Sequence, residues 1–353
     1  MRKNTVLTIL FVLIGLVCAV GASSTAPDGS EITIRIGLLG SPDDEDYDGS
    51  LVFKDYVESR TNGRVTVEIF PSGQFCGNER ECIEGLKSGV LDVHMTVIGG
   101  LGNIFGPAQV LDLPYALRDD RVAECLFDGP IVGLLREAVL SRGLNMRLMT
   151  ISNTGGWRNF ATVRRPVTAP EDLKGLKIRT TPAPLQQELV RMLGANATPI
   201  AWSELYSALA TGVVEGTKNG VQDIVNMHFH DHIRYMILDG HSYMGALWWF
   251  SERSWASLSP DVRRIVYDGF QHLKTVTRAL PMRRQIAAYE AFKTGGGQIY
   301  APTPEEKAAF RTATSGMRDW FVRTYGREWL DIMDREVAAC ENQVDSAFTG
   351  ANR

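Results

Sequence analysis

The stretches ITIRI at residues 32–36 and VTVEI at residues 65–69 alternate apolar and polar side chains. This alternation is typical of β-strands that bury one face. Between the two stretches, residues 51–61 place apolar side chains at helical spacing, and the dipeptide Asn62-Gly63 stops the pattern. A strand, a helix and a second strand are the repeating unit of a parallel sheet. The sequence therefore predicts an α/β fold.

A comparable pattern returns in the middle of the chain. Residues 177–179 are predicted to form a strand, residues 184–193 a helix and residues 197–200 a second strand. Ser203 is expected to cap a helix that runs to Thr211. Two α/β units of similar order indicate two lobes, each with its own core.

Length and charge agree with two lobes and exclude one class of partner. A chain of 353 residues exceeds the size of one ordinary domain. Its formal net charge of -4 provides no broad basic surface for nucleic acid. Any positive charge that matters for function must therefore be local.

The last part of the chain is mostly helical in pattern. Helices are predicted over residues 259–273, 275–292 and 303–344, with capping signals at Ser259-Pro260 and Thr303-Pro304. The glycines at 295–297 are interpreted as a turn, because no Lys followed by Ser or Thr completes a phosphate loop. We expect these helices to cover and brace the two lobes.

The first residues have the three parts of a secretory signal peptide. A basic start precedes an apolar run over residues 6–20, and small residues follow this run. We expect cleavage after Ala22, so that residues 1–22 form the signal peptide. A retained membrane anchor is the alternative, but the run is shorter than the ~20 residues that a spanning helix needs. The sequence predicts a mature protein in the periplasm.

Four cysteines remain once Cys18 leaves with the signal peptide: Cys76, Cys82, Cys125 and Cys340. Four cysteines outside the cytoplasm allow two disulfides in one of three pairings. We predict that Cys76 pairs with Cys82 across a small loop and that Cys125 pairs with Cys340, which ties the last helix to the first lobe. Buried free thiols are the alternative for the second pair.

Two arginines lie where an open α/β sheet would bind a ligand. Arg179 leaves a predicted strand, and Arg158 lies in the segment GGWRN at residues 155–159 between the presumed lobes. Ligands collect at the carboxyl ends of the strands in such sheets. A planar guanidinium matches a carboxylate or sulfonate with two parallel hydrogen bonds. A surface salt bridge is the alternative interpretation of each arginine.

Four ordered stretches resemble the signature of the DctP-type binding proteins, which serve tripartite ATP-independent periplasmic (TRAP) transporters. They are PEDLKGLKIR at 170–179, LGA at 193–195, AWSELYSAL at 201–209 and TGVVEG at 211–216. The resemblance implies a two-lobed, periplasmic-binding-protein-like α/β fold with discontinuous lobes and long bracing helices. It also implies two partners, the small and large membrane subunits of a TRAP transporter.

The resemblance assigns five residues to a ligand-binding site. Arg179 matches the anion-clamping arginine, Arg158 the supporting arginine, Asn219 the pocket asparagine, Trp202 the aromatic wall and Glu79 the acidic residue after the second strand. In this site Glu79 is expected to accept a hydrogen bond from a hydroxyl or amine of the ligand.

The sequence departs from the family pattern at two of these positions. The segment TKNG at 217–220 replaces the usual Gln-Glu-Asn-Pro, which leaves the backbone setting of Asn219 open. The segment FCGNE at 75–79 replaces a more usual Leu-Gly pair, which weakens the assignment of Glu79.

The resemblance also implies where each lobe begins and ends. Lobe 1 is expected to combine residues 31–154 with residues 244–284, and lobe 2 to combine residues 155–243 with residues 285–345. The chain would then cross between the lobes near Thr154, near Met244 and along residues 281–292.

The predicted ligand is a small organic anion. Two arginines against Glu79 sum to about one positive charge, which suits a hydroxylated monoanion better than a dianion. The segment FCGNEREC at 75–82 resembles members that bind the sulfonate isethionate, which is therefore the first ligand we predict. C4-dicarboxylates, 2-oxo acids and sugar acids are the alternatives.

A cluster of histidines supports a distant alternative, an exported metal-binding protein or enzyme. His228, His230 and His232 would share one face of a strand and could then hold zinc, whereas on a solvated turn or at a helix start they would diverge. The chain shows no nucleophile elbow, no recognisable Cys and His pair and no dinucleotide fingerprint. We predict no enzymatic activity, no cofactor and no metal.

Overall fold

Ten strands carry the fold in the computed structural model, which describes residues 32–102 and 104–349. The predicted signal peptide, residues 1–22, lies outside the described residues. In chain order the strands are β1 (Ile32–Gly37), β2 (Val65–Phe70), β3 (Val93–Val97), β4 (Met146–Thr162), β5 (Lys177–Thr180), β6 (Asn196–Pro199), β7 (Gly216–Asn219), β8 (Tyr235–Ile237), β9 (Ser242–Ser251) and β10 (Gln298–Tyr300). The four strands predicted in the two α/β units are all present, with ends that differ by one residue.

Helices surround these strands. In chain order the α-helices are α1 (Glu45–Arg60), α2 (Glu79–Ser88), α3 (Ile98–Leu101), α4 (Asp120–Asp128), α5 (Pro130–Leu140), α6 (Pro184–Met192), α7 (Leu205–Ala210), α8 (Val221–Asn226), α9 (Glu252–Ser257), α10 (Pro260–Thr294), α11 (Pro304–Ala313), α12 (Met317–Tyr325) and α13 (Glu328–Thr349). Short 3-10 helices occupy Gly106–Asp112, Pro170–Leu173, Trp202–Glu204 and Phe229–Asp231. In the described part of the chain, none of the helices has the length and apolar character needed to cross a bilayer.

The strands pair in the order β2-β1-β3-β9-β4-β7-β5-β6, with β8 beside β4 and β10 beside β8. Strands β1 and β2 are parallel and place Ile32 opposite Val65, and α1 connects them. Strands β5 and β6 are also parallel, with Ile178 opposite Ala197 and α6 between them. Both strand-helix-strand units predicted from the sequence are therefore confirmed.

The long strand β4 joins the two halves of the sheet. Residues 146–158 of β4 pair with β9, whereas residues 159–162 pair with β7. The register against β9 shifts between Asn153 and Trp157, where Gly155 and Gly156 have φ values of 74° and 84°. Because side chains other than glycine rarely adopt such φ values, the two glycines permit a bend here. This bend lies where the sequence predicts the first crossing between lobes.

Four helix predictions differ from the structure, one of them over residues 303–344, which form the three helices α11, α12 and α13. Helix α1 begins at Glu45 rather than at residue 51, after an extended Asp44 and with an acidic first turn that favours a helix start. Ser203 does not cap a helix, because it lies inside a 3-10 turn and α7 begins only at Leu205. The helices predicted over residues 259–273 and 275–292 form one helix of 35 residues, α10.

Helix α10 continues without a break because it packs along α1. Gly49 of α1 lies against Leu273 and Thr277, and Gly269 of α10 lies against Phe53. Because glycine has no side chain, the two helix backbones approach closely along this contact. Pro281 is accommodated inside the helix.

Apolar clusters fill the space between the helices and the strands. One cluster lies between α1, α10 and the strands β1 to β3 and includes Phe53 and Phe270. A second lies around α7, α8 and the end of α10 and includes Phe229 and Phe292. Both of these clusters therefore include residues of the same long helix, one near each of its ends.

Two disulfides add covalent links. Cys76 and Cys82 are bonded, with their Cα atoms 5.2 Å apart. Cys125 of α4 and Cys340 of α13 are bonded, with their Cα atoms 5.7 Å apart. Both pairs agree with the predicted pairing.

Candidate functional site

Arg179 lies in the interior with little compensation for its charge. Its side chain is at the end of β5 and the residue is 3% exposed. The Nε atom donates a hydrogen bond of 3.0 Å to the backbone oxygen of Ile200. Among the described residues no carboxylate forms an ion pair with this guanidinium. Because a buried cation without a partner is unfavourable, this position favours an anion.

Trp202 covers the same guanidinium. The Cζ atom of Arg179 lies 5.5 Å from the centre of the Trp202 ring. The Trp202 ring in turn packs edge-on against Phe229, with ring centres 5.2 Å apart. An aromatic face attracts a cation without taking up its hydrogen bonds, so the donors of Arg179 stay available.

Arg158 lies beside Arg179 and is also 3% exposed. Its Nη1 atom donates a hydrogen bond of 3.2 Å to the backbone oxygen of Lys218. Its Nε atom lies 3.8 Å from Oδ1 of Asp112 and forms no hydrogen bond within the described chain. Burial and the nearby charge of Arg158 lower the pKa of Arg179 to about 9. The two buried arginines repel each other, which an anion between them would relieve.

Glu79 brings a carboxyl group to the two arginines. It is the first residue of α2, and its Oε1 atom accepts a hydrogen bond of 3.1 Å from the backbone nitrogen of Val97. The carboxyl lies directly on Gly100, where any side chain would overlap it. Burial raises the pKa of Glu79 to about 7, although the Val97 hydrogen bond and both arginines act in the opposite direction. Near neutral pH this carboxyl can therefore accept or donate a hydrogen bond.

Asn219 ends β7 in a regular backbone setting. It lies opposite Asn159 in the ladder with β4 and is 2% exposed. Its Oδ1 atom accepts a hydrogen bond of 2.8 Å from Thr217, and its Nδ2 atom donates one of 3.1 Å to Asp223. An asparagine amide has two N–H donors, so one remains for a ligand. The replacement of Gln-Glu-Asn-Pro by TKNG thus leaves a buried amide at this position.

A third buried basic side chain, Lys218, was not assigned to the site by the sequence interpretation. Its Nζ atom donates a hydrogen bond of 2.6 Å to Oε1 of Gln186, and Nε2 of Gln186 donates one of 2.6 Å to Asp112. Burial lowers the pKa of Lys218 well below its usual range, and Arg158 lowers it further. The only signal in the sequence was a lysine where the family usually has glutamate.

Comparison with known proteins decides the family. Residues 37–322 match the family model DctP, described as a bacterial extracellular solute-binding protein, family 7. The chain belongs to the DctP family. The family consists of solute-binding proteins rather than enzymes, and it confirms the TRAP-type resemblance and the predicted periplasmic localisation.

Relatives of this DctP-family chain match over most of its length. The 2,3-diketo-L-gulonate-binding periplasmic protein of Escherichia coli K12 is 27% identical over 305 residues, which are 86% of this chain and 91% of that protein. A TRAP periplasmic solute-binding protein from Polaromonas sp. JS666 bound to D-erythronate superposes with a TM-score of 0.81 at 26% identity, covering 86% of this chain and 98% of that one. A TRAP periplasmic solute-binding protein from Desulfovibrio salexigens with bound orotic acid superposes with a TM-score of 0.82 at 27% identity. The match covers 87% of this chain and 99% of that one. The predicted two-lobed fold is thereby confirmed.

Of the five predicted site residues of this DctP-family chain, Arg179, Arg158 and Asn219 are buried, and Glu79 and Trp202 are half-buried. Arg179, Arg158, Asn219 and Glu79 are linked by the contacts and charges described above, and Trp202 packs on the first of them. Surface cavities of about 370 and 190 Å³ lie elsewhere, and none of the five residues lines either one. The structure therefore places Arg179 and Arg158 in the interior rather than on a surface.

The histidine cluster differs from its prediction. Residues 229–231 form a 3-10 turn rather than a strand, so the three histidines do not share one face. His228, His230 and Asp231 come together, with possible ligand atoms within 4.8 Å of one another. His232 instead packs edge-on against Tyr206, with ring centres 5.0 Å apart. An aspartate thus takes the place that the sequence interpretation gave to His232.

Proposed function

We propose that this chain captures a small organic anion for a TRAP transporter, with Arg179 as the clamp for the acid group. The observation that carries the proposal is the buried guanidinium of Arg179, which has no carboxylate partner among the described residues. Arg158 and Asn219 supply further donors, Glu79 bonds a hydroxyl or amine, and Trp202 forms the wall. Micromolar affinity, about -8 kcal/mol, would suffice for scavenging.

The proposed mechanism is closure of two lobes around the anion. Lobe 1 comprises residues 31–154 and 244–284, and lobe 2 comprises residues 155–243 and 285–345. The bend in β4 at Gly155 supports the first boundary. When the lobes are open, water compensates the charge of Arg179, whereas in the closed form an anion must do so. The anion therefore shifts the population to the closed form, which the small and large membrane subunits would recognise.

The proposed ligand class is a hydroxylated monoanion. The 2,3-diketo-L-gulonate and D-erythronate of the compared proteins carry one carboxylate and several oxygens. The position of the Glu79 carboxyl near the charges of two arginines suits an acid group next to a hydroxyl. We infer isethionate as the first compound to test, with sugar acids next, because isethionate has this pattern in its smallest form. C4-dicarboxylates and 2-oxo acids are the remaining alternatives.

A thermal-shift panel tests this proposal. A compound that binds only the folded chain raises the melting temperature of the mature protein. The panel contains isethionate, taurine, C4-dicarboxylates, 2-oxo acids and sugar acids, with neutral sugars and peptides as the contrast. We expect the shifts to come from anions. Shifts from neutral compounds alone would refute the proposal.

A pair of arginine variants tests the clamp itself. Arg179→Ala should abolish the shift by the best anion, and Arg164→Ala, an exposed arginine of the same half, should keep it. Isothermal titration of both variants measures the affinity directly. Unchanged affinity in Arg179→Ala would reject the assignment of the clamp.

A second candidate function is binding of a transition-metal ion at His228, His230 and Asp231. The Nδ1 atom of His230 lies 3.4 Å from the backbone oxygen of Ile224, and Oδ2 of Asp231 accepts a hydrogen bond of 3.0 Å from Tyr206. Such contacts orient histidine and carboxylate ligands toward a metal. Two histidines and a carboxylate suit zinc.

Zinc titration distinguishes this second candidate. Zn²⁺ should raise the melting temperature of the wild type, and EDTA should reverse the shift. The double variant His228→Ala, His230→Ala should lose it, whereas His272→Ala, an exposed histidine on α10, should keep it. Equal zinc shifts in the double variant and the wild type would exclude a site here.

A further inference from the structure

Two neighbouring carboxyl groups at the start of α1 bond to residues far along the chain. Oε1 of Glu45 accepts a hydrogen bond from the backbone nitrogen of Gly155, in the bend of β4. Oε2 of Glu45 accepts one of 2.5 Å from Gln222 of α8. Oδ2 of Asp46 accepts one of 2.8 Å from Thr154. Glu45 therefore ties α1 to the bend and to α8 across the proposed lobe boundary, and Asp46 holds Thr154, the last residue before that boundary.

The bend is shaped for this contact. Gly155 has φ 74°, and a side chain there would overlap the carboxyl of Asp223. A side chain at Gly220 would overlap the backbone oxygen of Gly155. Because Asp223 also accepts the hydrogen bond from Asn219, the bend is connected to the proposed ligand site. The glycines let three segments of backbone approach the carboxyl pair.

The charges around Glu45 and Asp46 are mostly negative. The charged groups that face them or their neighbours, from α1, α8, α10 and β4, are Asp43, Asp44, Asp48, Asp223, Arg158 and Arg284. Arg284 pairs with Asp48 and also bonds the backbone oxygen of Asp43. Within residues 32–102 and 104–349, neither arginine pairs with Glu45 or Asp46. The two carboxyls are thus buried among other acids without a compensating cation.

Two hydrogen-bond acceptors without a donor indicate how the negative charge of this cluster is compensated. Oδ1 of Asp46 and Oε1 of Gln222 are buried and have no hydrogen-bond partner within the described chain. Buried acceptors without a donor are rare in folded proteins. A proton on one of the carboxyls would supply a donor and remove a negative charge at the same time. Burial, followed by the charge of Asp223, raises the pKa of Glu45 to about 8.

The pKa values of Asp46 and Asp223 are raised, as is that of Glu45. Burial and the charge of Glu45 raise the pKa of Asp46 well above its usual range. Burial raises the pKa of Asp223 to about 7, although its hydrogen bond from Asn219 acts in the opposite direction. All three acids therefore hold protons more strongly in this closed arrangement than in water.

We propose that Glu45 and Asp46 form a proton-binding latch, which holds protons in the closed form and releases the lobes when it loses them. This inference rests on the proposed closure of two lobes and goes beyond the identity of the solute. Closure buries the pair, so closure takes up protons. By linkage, acid stabilises the closed form and alkali destabilises it.

The sign of the effect follows from the pKa of Glu45, which is 4.5 for the free side chain and about 8 in the structure. Stabilisation by this group is fully present below the lower value. It is lost as the pH rises from the lower value through the upper one, because over this range the unfolded chain has released the proton that the folded chain still holds. Stability should therefore fall between neutral and alkaline pH.

Because acid favours the closed form even when no solute is bound, melting curves of the chain without added solute test the latch. The wild type should lose at least ~3 °C of melting temperature between about pH 6 and about pH 9, relative to Glu45→Gln. Glutamine at position 45 cannot ionise, and its side-chain oxygen can still accept the hydrogen bond from Gly155. Its side-chain nitrogen can donate to the unused oxygen of Gln222 once the Gln222 amide rotates. Asp55→Asn, which changes an exposed acid on the same helix, should retain the wild-type profile.

Infrared difference spectra provide a second readout. Protonated carboxyl groups absorb apart from carboxylates, so the wild type should show a protonated carboxyl band at about pH 7 that Glu45→Gln and Asp46→Asn each reduce. Parallel melting profiles for wild type and Glu45→Gln, or an unchanged band in both variants, would overturn the proposal. If either variant fails to fold, the other one decides the test.

The test is separable from that of the solute site. Arg179→Ala should abolish shifts by organic anions and leave the pH profile of the melting temperature in place. If no anion shifts the wild type while the profile still depends on Glu45, the latch stands and the solute proposal fails. If anions bind but the profile does not depend on Glu45, the latch alone fails.

Discussion

The guanidinium of Arg179 lies 5.5 Å from the ring of Trp202, which is held edge-on by Phe229. This pair combines a cation that needs an anion with an aromatic face that keeps the cation in place. The arrangement also excludes water from one side of the guanidinium. The Trp202 ring therefore fixes the orientation of the Arg179 hydrogen-bond donors before a solute binds.

Replacement of the aromatic wall should weaken solute binding. Trp202→Ala removes a cation–π contact of about 0.5–2 kcal/mol, so the affinity for the best anion should fall roughly 2- to 30-fold. Trp202→Phe keeps an aromatic face and should lose less. Isothermal titration with the anion that gives the largest thermal shift measures both effects. Equal loss in the two variants would show that the ring acts by volume alone.

Removal of the Lys218 amine should change selectivity by charge, because a second negative charge on the solute favours the protonated form of this side chain. Lys218→Met keeps the length of the side chain, and Gln186 still accepts a hydrogen bond of 3.0 Å from Thr181. We therefore expect the fold to persist, because replacing buried charges with apolar groups of similar size is often tolerated. Affinity for a C4-dicarboxylate should fall by about tenfold, or about 1.4 kcal/mol. Affinity for isethionate should fall less.

Isothermal titrations of Lys218→Met and of the wild type with each of the two anions measure how much affinity each anion loses. A larger loss for isethionate than for the dicarboxylate would contradict the view that Lys218 acts through charge. The matched control is Arg253→Met, because Arg253 is a basic residue that lies against Gly89 and not among the five proposed site residues.

Glu79 should make anion binding depend on pH. Its pKa of about 7 means that it gains a negative charge beside the two arginines as the pH rises through that value. The added charge competes with the solute, so affinity should fall about tenfold from about pH 6 to about pH 8. Glu79→Gln should bind with nearly constant affinity over this range.

Titrations at both pH values test this, with Glu84→Gln as a control because Glu84 lies on the exposed side of the same helix and pairs with Lys87. A pH profile that persists unchanged in Glu79→Gln would assign the effect to another group. The melting profile of the solute-free chain separates that outcome from the latch at Glu45.

Local patterns in the sequence predicted the two strand-helix-strand units of this protein. The alternation of apolar and polar residues predicted β1 and β2. The two arginines were also visible, although Arg158 lies inside the long strand β4 rather than at a strand end. These features depend on neighbours within a few residues, which is the range that a pattern records.

Features that depend on distant residues were not visible. The Lys218 ammonium bonds a glutamine 32 positions away, and Glu45 bonds a glycine 110 positions away. No local pattern in the sequence connects such partners, since the fold brings them together. The error at Ser203 has a similar cause, because a 3-10 turn there places Trp202 over Arg179 instead of beginning a helix. The histidine segment was likewise interpreted from its spacing alone.

The disulfide between Cys125 and Cys340 should contribute more to stability than the one between Cys76 and Cys82. The first closes a separation of 215 residues and the second a separation of 6. In the chain-entropy model, closure of the longer loop removes about 5 kcal/mol of unfolded-state entropy and closure of the shorter one about 2 kcal/mol. Denaturant unfolding of the variants Cys125→Ser, Cys340→Ser and Cys76→Ser, Cys82→Ser measures both contributions.

The comparison also tests how the end of the chain is held. Cys340 lies on α13 and Cys125 on α4, and Arg118 next to α4 pairs with Asp345 of α13. This exposed ion pair is worth little alone, so loss of the disulfide should leave α13 held mainly by its apolar contacts. Hydrogen exchange should then increase along α13 before the rest of the chain. Uniform exchange in the Cys125→Ser, Cys340→Ser variant would show that α13 unfolds only together with the core.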